Sequence, residues 1–110
     1  MKATFLVIVR TNVVPVEEET YMETCHELDQ LMNRVLGDED IVALLCHTTE
    51  CTTSTECNVS LDETGVIAQC VVTVEAEKKP VLDKPKLSQQ LKAFSKFDGI
   101  KIEKRAVEMD

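Results

Sequence analysis

Two stretches of this chain are apolar on both sides of an alternating pattern, and they dictate most of what it can fold into. From Ala3 to Val9, Phe5, Val7 and Val9 alternate with Leu6 and Ile8. From Val66 to Ala76, Val66, Ala68, Cys70, Val72, Val74 and Ala76 point one way, while Ile67, Gln69, Val71, Thr73 and Glu75 point the other. Successive side chains of a strand face opposite sides of its sheet, so a run that is apolar on both sides belongs in a sheet interior. The chain is therefore expected to build a sheet around these two segments.

Between them a helix is expected. Tyr21, Cys25, Leu28, Met32 and Val35 recur at helical spacing, Met22, Leu31 and Leu36 broaden the stripe, and Gly37 stands at a C-terminal cap position. Pro15 suits its first turn, and Glu17, Glu18 and Glu19 sit where the helix dipole favours negative charge. "DEDIVALLCHT" reads as a second strand from about Ile41, entered through an acidic turn, with Cys46 at its end as a small apolar core residue. A long polar loop at about 48–65 follows, closing in a "DETG" turn where Gly65 takes positive φ. After the proline-containing "EKKPVLDKPK", a second helix carries Leu87, Leu91 and Phe94 on one side, with Lys92 and Lys96 near its C-terminal end. "IKIEKRAVEM" is a short charged strand fit for a sheet edge.

The order β-α-β-β-α-β resembles the ferredoxin-like split βαβ sandwich, an α+β fold of four antiparallel strands with two helices on one face. In that fold the first and third strands are central, which agrees with the two strands that are apolar on both sides. At 110 residues, 1–110 is read as a single α+β domain. The opening "MKATFLVIVRTN" has the basic residue and apolar run of a secretory leader, but Arg10 interrupts the run after seven residues and no small-residue cleavage site follows. No segment approaches the ~20 apolar residues of a membrane helix. A cytoplasmic, non-membrane protein with reduced thiols is expected.

The net charge of −8 opposes general binding to nucleic-acid phosphates. It is also divided: residues 1–77 hold 15 acids and 3 bases (−12), and residues 78–110 hold 5 acids and 9 bases (+4). Glu17, Glu18, Glu19, Glu23, Glu27 and Asp29 form a candidate acidic helix face for a basic protein partner. Helices on one face of a sheet would leave Leu6, Ile8, Ile67 and Val71 on the other, a candidate homo-oligomer face.

The most unusual stretch, "CHTTECTTSTEC" at 46–57, packs three cysteines, a histidine and five threonines into twelve residues. Structural zinc sites pair ligands two to four residues apart, whereas Cys46, Cys51 and Cys57 are spaced by five and six. A zinc set from Cys46, His47, Cys51 and Cys57 is thus a weak alternative to no cofactor. Cys51 and Cys57 form a candidate redox pair within the loop. Thr48, Thr49, Glu50, Thr52, Thr53, Ser54, Thr55 and Glu56 are candidate binding residues of that loop. The dipeptides Cys25-His26 and Cys46-His47 are not catalytic pairs, because adjacent side chains diverge. No phosphate loop, metalloprotease or serine-hydrolase motif is present, so catalytic residues are not assigned.

The expected function is a small acidic, non-enzymatic regulatory or protein-interaction domain that self-associates through its open sheet face. Two alternatives stand beside it. One is an acidic inhibitor of the phage type, or a nucleic-acid mimic, that binds a basic host protein. The other is a metal-binding or thiol-redox protein using Cys46, Cys51 and Cys57.

Overall fold

The computed structural model describes residues 1–12, 18–62 and 65–108. Among them the chain forms four strands and three helices: β1 (Lys2–Thr11), α1 (Glu18–Leu36), α2 (Glu39–Leu45), β2 (Thr52–Asp62), β3 (Gly65–Glu75), α3 (Lys84–Leu91) and β4 (Phe97–Glu108). The strands make an open antiparallel sheet in the order β2-β3-β1-β4, so the two doubly apolar runs, β1 and β3, are its interior strands. Register follows side-chain chemistry. Ala3, Phe5, Val7 and Val9 stand opposite Val74, Val72, Cys70 and Ala68, and all eight are buried.

That apolar row belongs to one core cluster with Leu28, Met32, Val35 and Leu36 of α1, Val42 and Leu45 of α2, and Leu87 and Leu91 of α3. Burying a residue such as Leu28 or Leu87 contributes about 1.5–3 kcal/mol. The other row is Leu6 and Ile8 of β1 with Ile67, Gln69, Val71 and Thr73 of β3, and it is unevenly covered: Val71 is 44% exposed, Leu6 and Ile8 are half-buried, and Ile67 is buried.

The structure corrects four local expectations. Ile41 does not begin a strand. Asp38 caps α2, its side chain accepting from the backbone N–H groups of Asp40 at 2.9 Å and Ile41 at 3.2 Å. An acidic residue before two more acids is an N-cap signal, and Val42, Leu45 and Cys46 then share one helical side. Cys46 is still buried, but at the C-cap of this helix. Secondly, most of the expected loop at 48–65 is strand β2. Thr53, Thr55, Cys57 and Val59 are half-buried and alternate with exposed Thr52, Ser54, Glu56 and Asn58. Threonine is β-branched and favours a pleated edge, while its polarity hides the alternation in the sequence.

Thirdly, α3 stops at Leu91, and β4 begins at Phe97 rather than Ile100. Lys96 therefore does not meet a helix end. Its Nζ lies 3.3 Å from Thr24 Oγ1 and 3.9 Å from Glu27, tying the α3–β4 turn to α1. Lastly, Met22 is 61% exposed and does not belong to the buried stripe, which Thr24 enters instead. Gly37 ends α1 as expected, and a Cβ there would collide with the Asn33 carbonyl oxygen. Gly65 takes a φ of 133°, beyond what a side chain readily permits. Pro15 and Glu17 lie outside the described residues.

Candidate functional site

Three places gather the residues singled out above. The first is the less covered sheet face. The register sets Leu6 beside Val71, Ile8 beside Gln69 and Arg10 beside Ile67, so Leu6, Ile8, Ile67 and Val71 lie together on one side of two adjacent strands. Their surround is polar. Glu56 and Asn58 of β2 follow Val71 and Gln69 outward, and Lys101 and Glu103 of β4 follow Ile8 and Leu6. Lys101 pairs with Glu103 at 3.0 Å, which holds the Glu103 carboxyl below the usual carboxylate range. Thr4 and Thr73 exchange a hydroxyl hydrogen bond of 3.2 Å at one end, and Lys2 stands opposite Glu75 beyond them.

The second is a cleft of about 790 Å³ where α2 meets the start of β2 and the end of β3. Five carboxyl-bearing residues line it: Glu39, Asp40, Glu50, Glu75 and Glu77. Thr48, Thr49, Cys51 and Thr52 complete most of the wall. The Cys51 thiol, which donates to the Glu39 carbonyl at 3.5 Å, is pushed up first by burial and then by Glu39 and Asp40. This chemistry suits a cationic group. Only Glu50 of the five was singled out from sequence. The others are scattered along the chain and meet because β3 ends beside α2.

The third is a cleft of about 550 Å³ lined by Met22, Cys25, His26 and Asp29 of α1 and by Cys57, Asn58 and Val59 of β2. Cys57 is bonded to Cys70, its direct neighbour on β3. The expected Cys51–Cys57 pair is not formed: Cys51 precedes β2, and the extended strand carries Cys57 six residues further along. Cys25, Cys46 and Cys51 are outside any disulfide. Cys57 and Cys70 face one another across adjacent strands, close enough to bond, and so depart from the wholly reduced thiols expected.

The proposed zinc ligands do not converge. Cys46 is buried with its thiol pushed up to about 11 by burial and by Cys51, His47 is engaged by Asp83, Cys51 lies in the acidic cleft and Cys57 in the disulfide. Among the described residues no group of three or more His, Cys, Asp or Glu is placed to hold a metal ion.

The loop residues named from sequence divide by face. Thr53 and Thr55 turn inward and donate their hydroxyls to the Leu36 carbonyl at 3.1 and 2.7 Å, so they anchor the end of α1. Ser54 and Glu56 turn to the other face. Along α1, Glu23 and Glu27 are exposed and Asp29 is half-buried beside the disulfide cleft. Glu18 and Glu19 fall in the first turn of the described helix.

These features define an α+β protein with an open antiparallel sheet. No described helix is long and apolar enough to cross a membrane. Comparisons with protein-family models, with curated proteins and with solved structures returned no match.

Proposed function

We propose that this chain is a small acidic, non-enzymatic interaction module of ferredoxin-like architecture that pairs with a second copy of itself through the open sheet face. The strand order and all-antiparallel pairing support the fold reading, with the first and third strands central and the second and fourth at the edges. The helices' buried residues share one cluster with a single row of strand residues, which supports their lying on that side. The observation that carries self-association is the grouping of Leu6, Ile8, Ile67 and Val71 on the opposite side.

Charge at the strand ends separates two orientations for such a pair, although the register also brings Glu103 of one copy over Glu56 of the other. The midline of the sheet runs between β3 and β1. A half-turn about an axis along that midline lays β1 of one copy on β3 of the other, so Leu6 meets Val71 and Lys2 meets Glu75, the residues already registered across β1 and β3. A half-turn about an axis crossing the strands at Leu6 would set Lys2 against Arg10. Packed sheets cross at about 30°, which separates the strand ends, and the long side chains of Lys2 and Glu75 bridge such a gap.

Light scattering across a concentration series tests this: a dimer that Leu6→Lys or Val71→Lys converts to folded monomer is expected. A monomeric parent at millimolar concentration refutes it.

A second reading rests on the acidic cleft. Its five carboxylates favour a basic protein segment, which accords with an acidic inhibitor or regulator acting on a basic partner. Binding of an oligolysine peptide that falls steeply with salt and is lost in Glu39→Gln/Asp40→Asn is the corresponding measurement.

A further inference from the structure

The disulfide lies at an edge, with one sulfur near the surface and the other inside. Among the described residues β2 has a neighbour only on its β3 side, Cys57 is half-buried, and Cys70 is 0% exposed. The cleft between α1 and β2 reaches Cys57 but is not lined by Cys70. Attack on a disulfide proceeds with the nucleophile opposite the departing sulfur, through a mixed disulfide. Since Cys70 lies inward of Cys57, the line of approach to the Cys57 sulfur points outward past β2, where the sheet ends. His26 and Asp29 give the cleft polar walls able to receive a charged small molecule.

We propose that the Cys57–Cys70 bond is a thiol-exchange site for a small monothiol, entered through the cleft between α1 and β2, with Cys57 as the sulfur attacked and Cys70 as the leaving thiol. In the first step the incoming thiolate forms a bond to Cys57 Sγ and the Cys57–Cys70 bond breaks. The electron pair stays on Cys70 Sγ, which takes a proton from solvent. In the second step another thiolate attacks the small-molecule sulfur of the mixed disulfide and releases Cys57 as thiolate. The sum is two thiols oxidised to their disulfide and one protein disulfide reduced to two thiols.

Cys70 is 0% exposed, so the small thiols that reach Cys57 through the cleft are screened from it. The mixed disulfide therefore sits on Cys57 and lasts until Cys70 attacks it or a second thiolate arrives. Reversible capping of an edge-strand cysteine by a small thiol is the activity this arrangement supports.

The test uses the folded full chain and glutathione. Protein whose Cys57–Cys70 linkage has been verified by non-reducing peptide mapping is held anaerobically with reduced glutathione, quenched with a maleimide and mapped again. The expected result is loss of the linked peptide, gain of a single glutathione on Cys57, and labelling of Cys70 only after denaturation. Cys25→Ser, which leaves the disulfide in place, should give the same adduct. Cys70→Ala, apolar and small enough for the buried position, exposes the Cys57 thiol directly; oxidised glutathione should then modify Cys57 before Cys25 or Cys51. A 57–70 linkage absent at the outset overturns the proposal. So does a linkage that survives glutathione, an adduct that moves to Cys25 or vanishes in Cys25→Ser, or an unmodified Cys57 in a Cys70→Ala chain with parental circular dichroism.

Discussion

His47 Nε2 lies 2.7 Å from Asp83 Oδ2, and this contact fastens the segment after α2 to the start of α3. His47 itself has a φ of 54°, the only described non-glycine residue in the left-handed region. The same connection is reinforced in the backbone, where Asp83 N–H donates to the Leu45 carbonyl at 2.9 Å. Asp83 also caps α3, its Oδ1 accepting from Lys86 N–H at 3.1 Å. One carboxylate thus terminates one helix start and positions the turn leading out of another helix.

The Lys86 N–H first, and then His47, hold the Asp83 carboxyl below its ordinary range. A depressed carboxylate pKa contributes stability that is present above the unfolded value, about 3.9 for Asp, and is lost as pH falls through the folded value. Thermal unfolding followed from pH 7 to pH 3 should show this loss, and Asp83→Ala should flatten it while lowering stability at pH 7. His47→Ala, which leaves the Lys86 contact intact, should have the smaller effect at pH 7.

Thiol reactivity should follow the surroundings of each cysteine. Burial raises Cys46 to about 11, so its thiolate is scarce at pH 8 and its alkylation should trail that of Cys51. Cys51 is itself raised, by burial and then by Glu39 and Asp40. Removing those two charges in Glu39→Gln/Asp40→Asn lowers its pKa and should speed its reaction with iodoacetamide at pH 8, with Cys46 little changed. Site-resolved mass spectrometry over time measures both rates.

The Leu36 carbonyl at the end of α1 accepts from both Thr53 and Thr55. Thr55→Val keeps the side-chain shape and removes one donor, at an expected cost of about 1 kcal/mol. The double change with Thr53→Val leaves the carbonyl without either hydroxyl and should cost about 1–3 kcal/mol. Urea unfolding with an unchanged m-value is the measurement, since an altered slope would signal a change in the surface exposed.

Pairing of two open faces makes a charge-swap prediction. Lys2→Glu and Glu75→Lys should each weaken the dimer, and the two together should restore it. With two such contacts per dimer, each worth up to about 1 kcal/mol, the single changes should shift the dissociation constant by up to about thirtyfold. Sedimentation equilibrium at low salt reads the shift. Singles that weaken the dimer without rescue in the double would place Lys2 and Glu75 at the interface but not opposite each other.

The interior strands were legible because hydrophobicity alone marks them: Phe5, Leu6, Val7, Ile8 and Val9 leave no face suited to water. The helical stripe from Leu28 to Leu36 was legible for the corresponding reason. β2 was not. Its inward side is Thr53, Thr55, Cys57 and Val59, and a threonine that satisfies its hydroxyl on the Leu36 carbonyl looks the same in sequence as one in a loop. α2 was misread because "IVALL" is short and apolar on several sides, leaving the Asp38 cap as the deciding signal.

Local periodicity by itself determined the long helix, the two central strands and the apolar pair of each on the second sheet face. Those features depend on neighbours within a few residues and on burial, which the order of side chains records directly. Tertiary structure alone decided that Cys57 meets Cys70 rather than Cys51, that His47 meets Asp83, and that Glu39, Asp40, Glu50, Glu75 and Glu77 share one cleft. Those meetings join residues that are distant along the chain, so they exist only once strand register and helix placement bring the partners within reach.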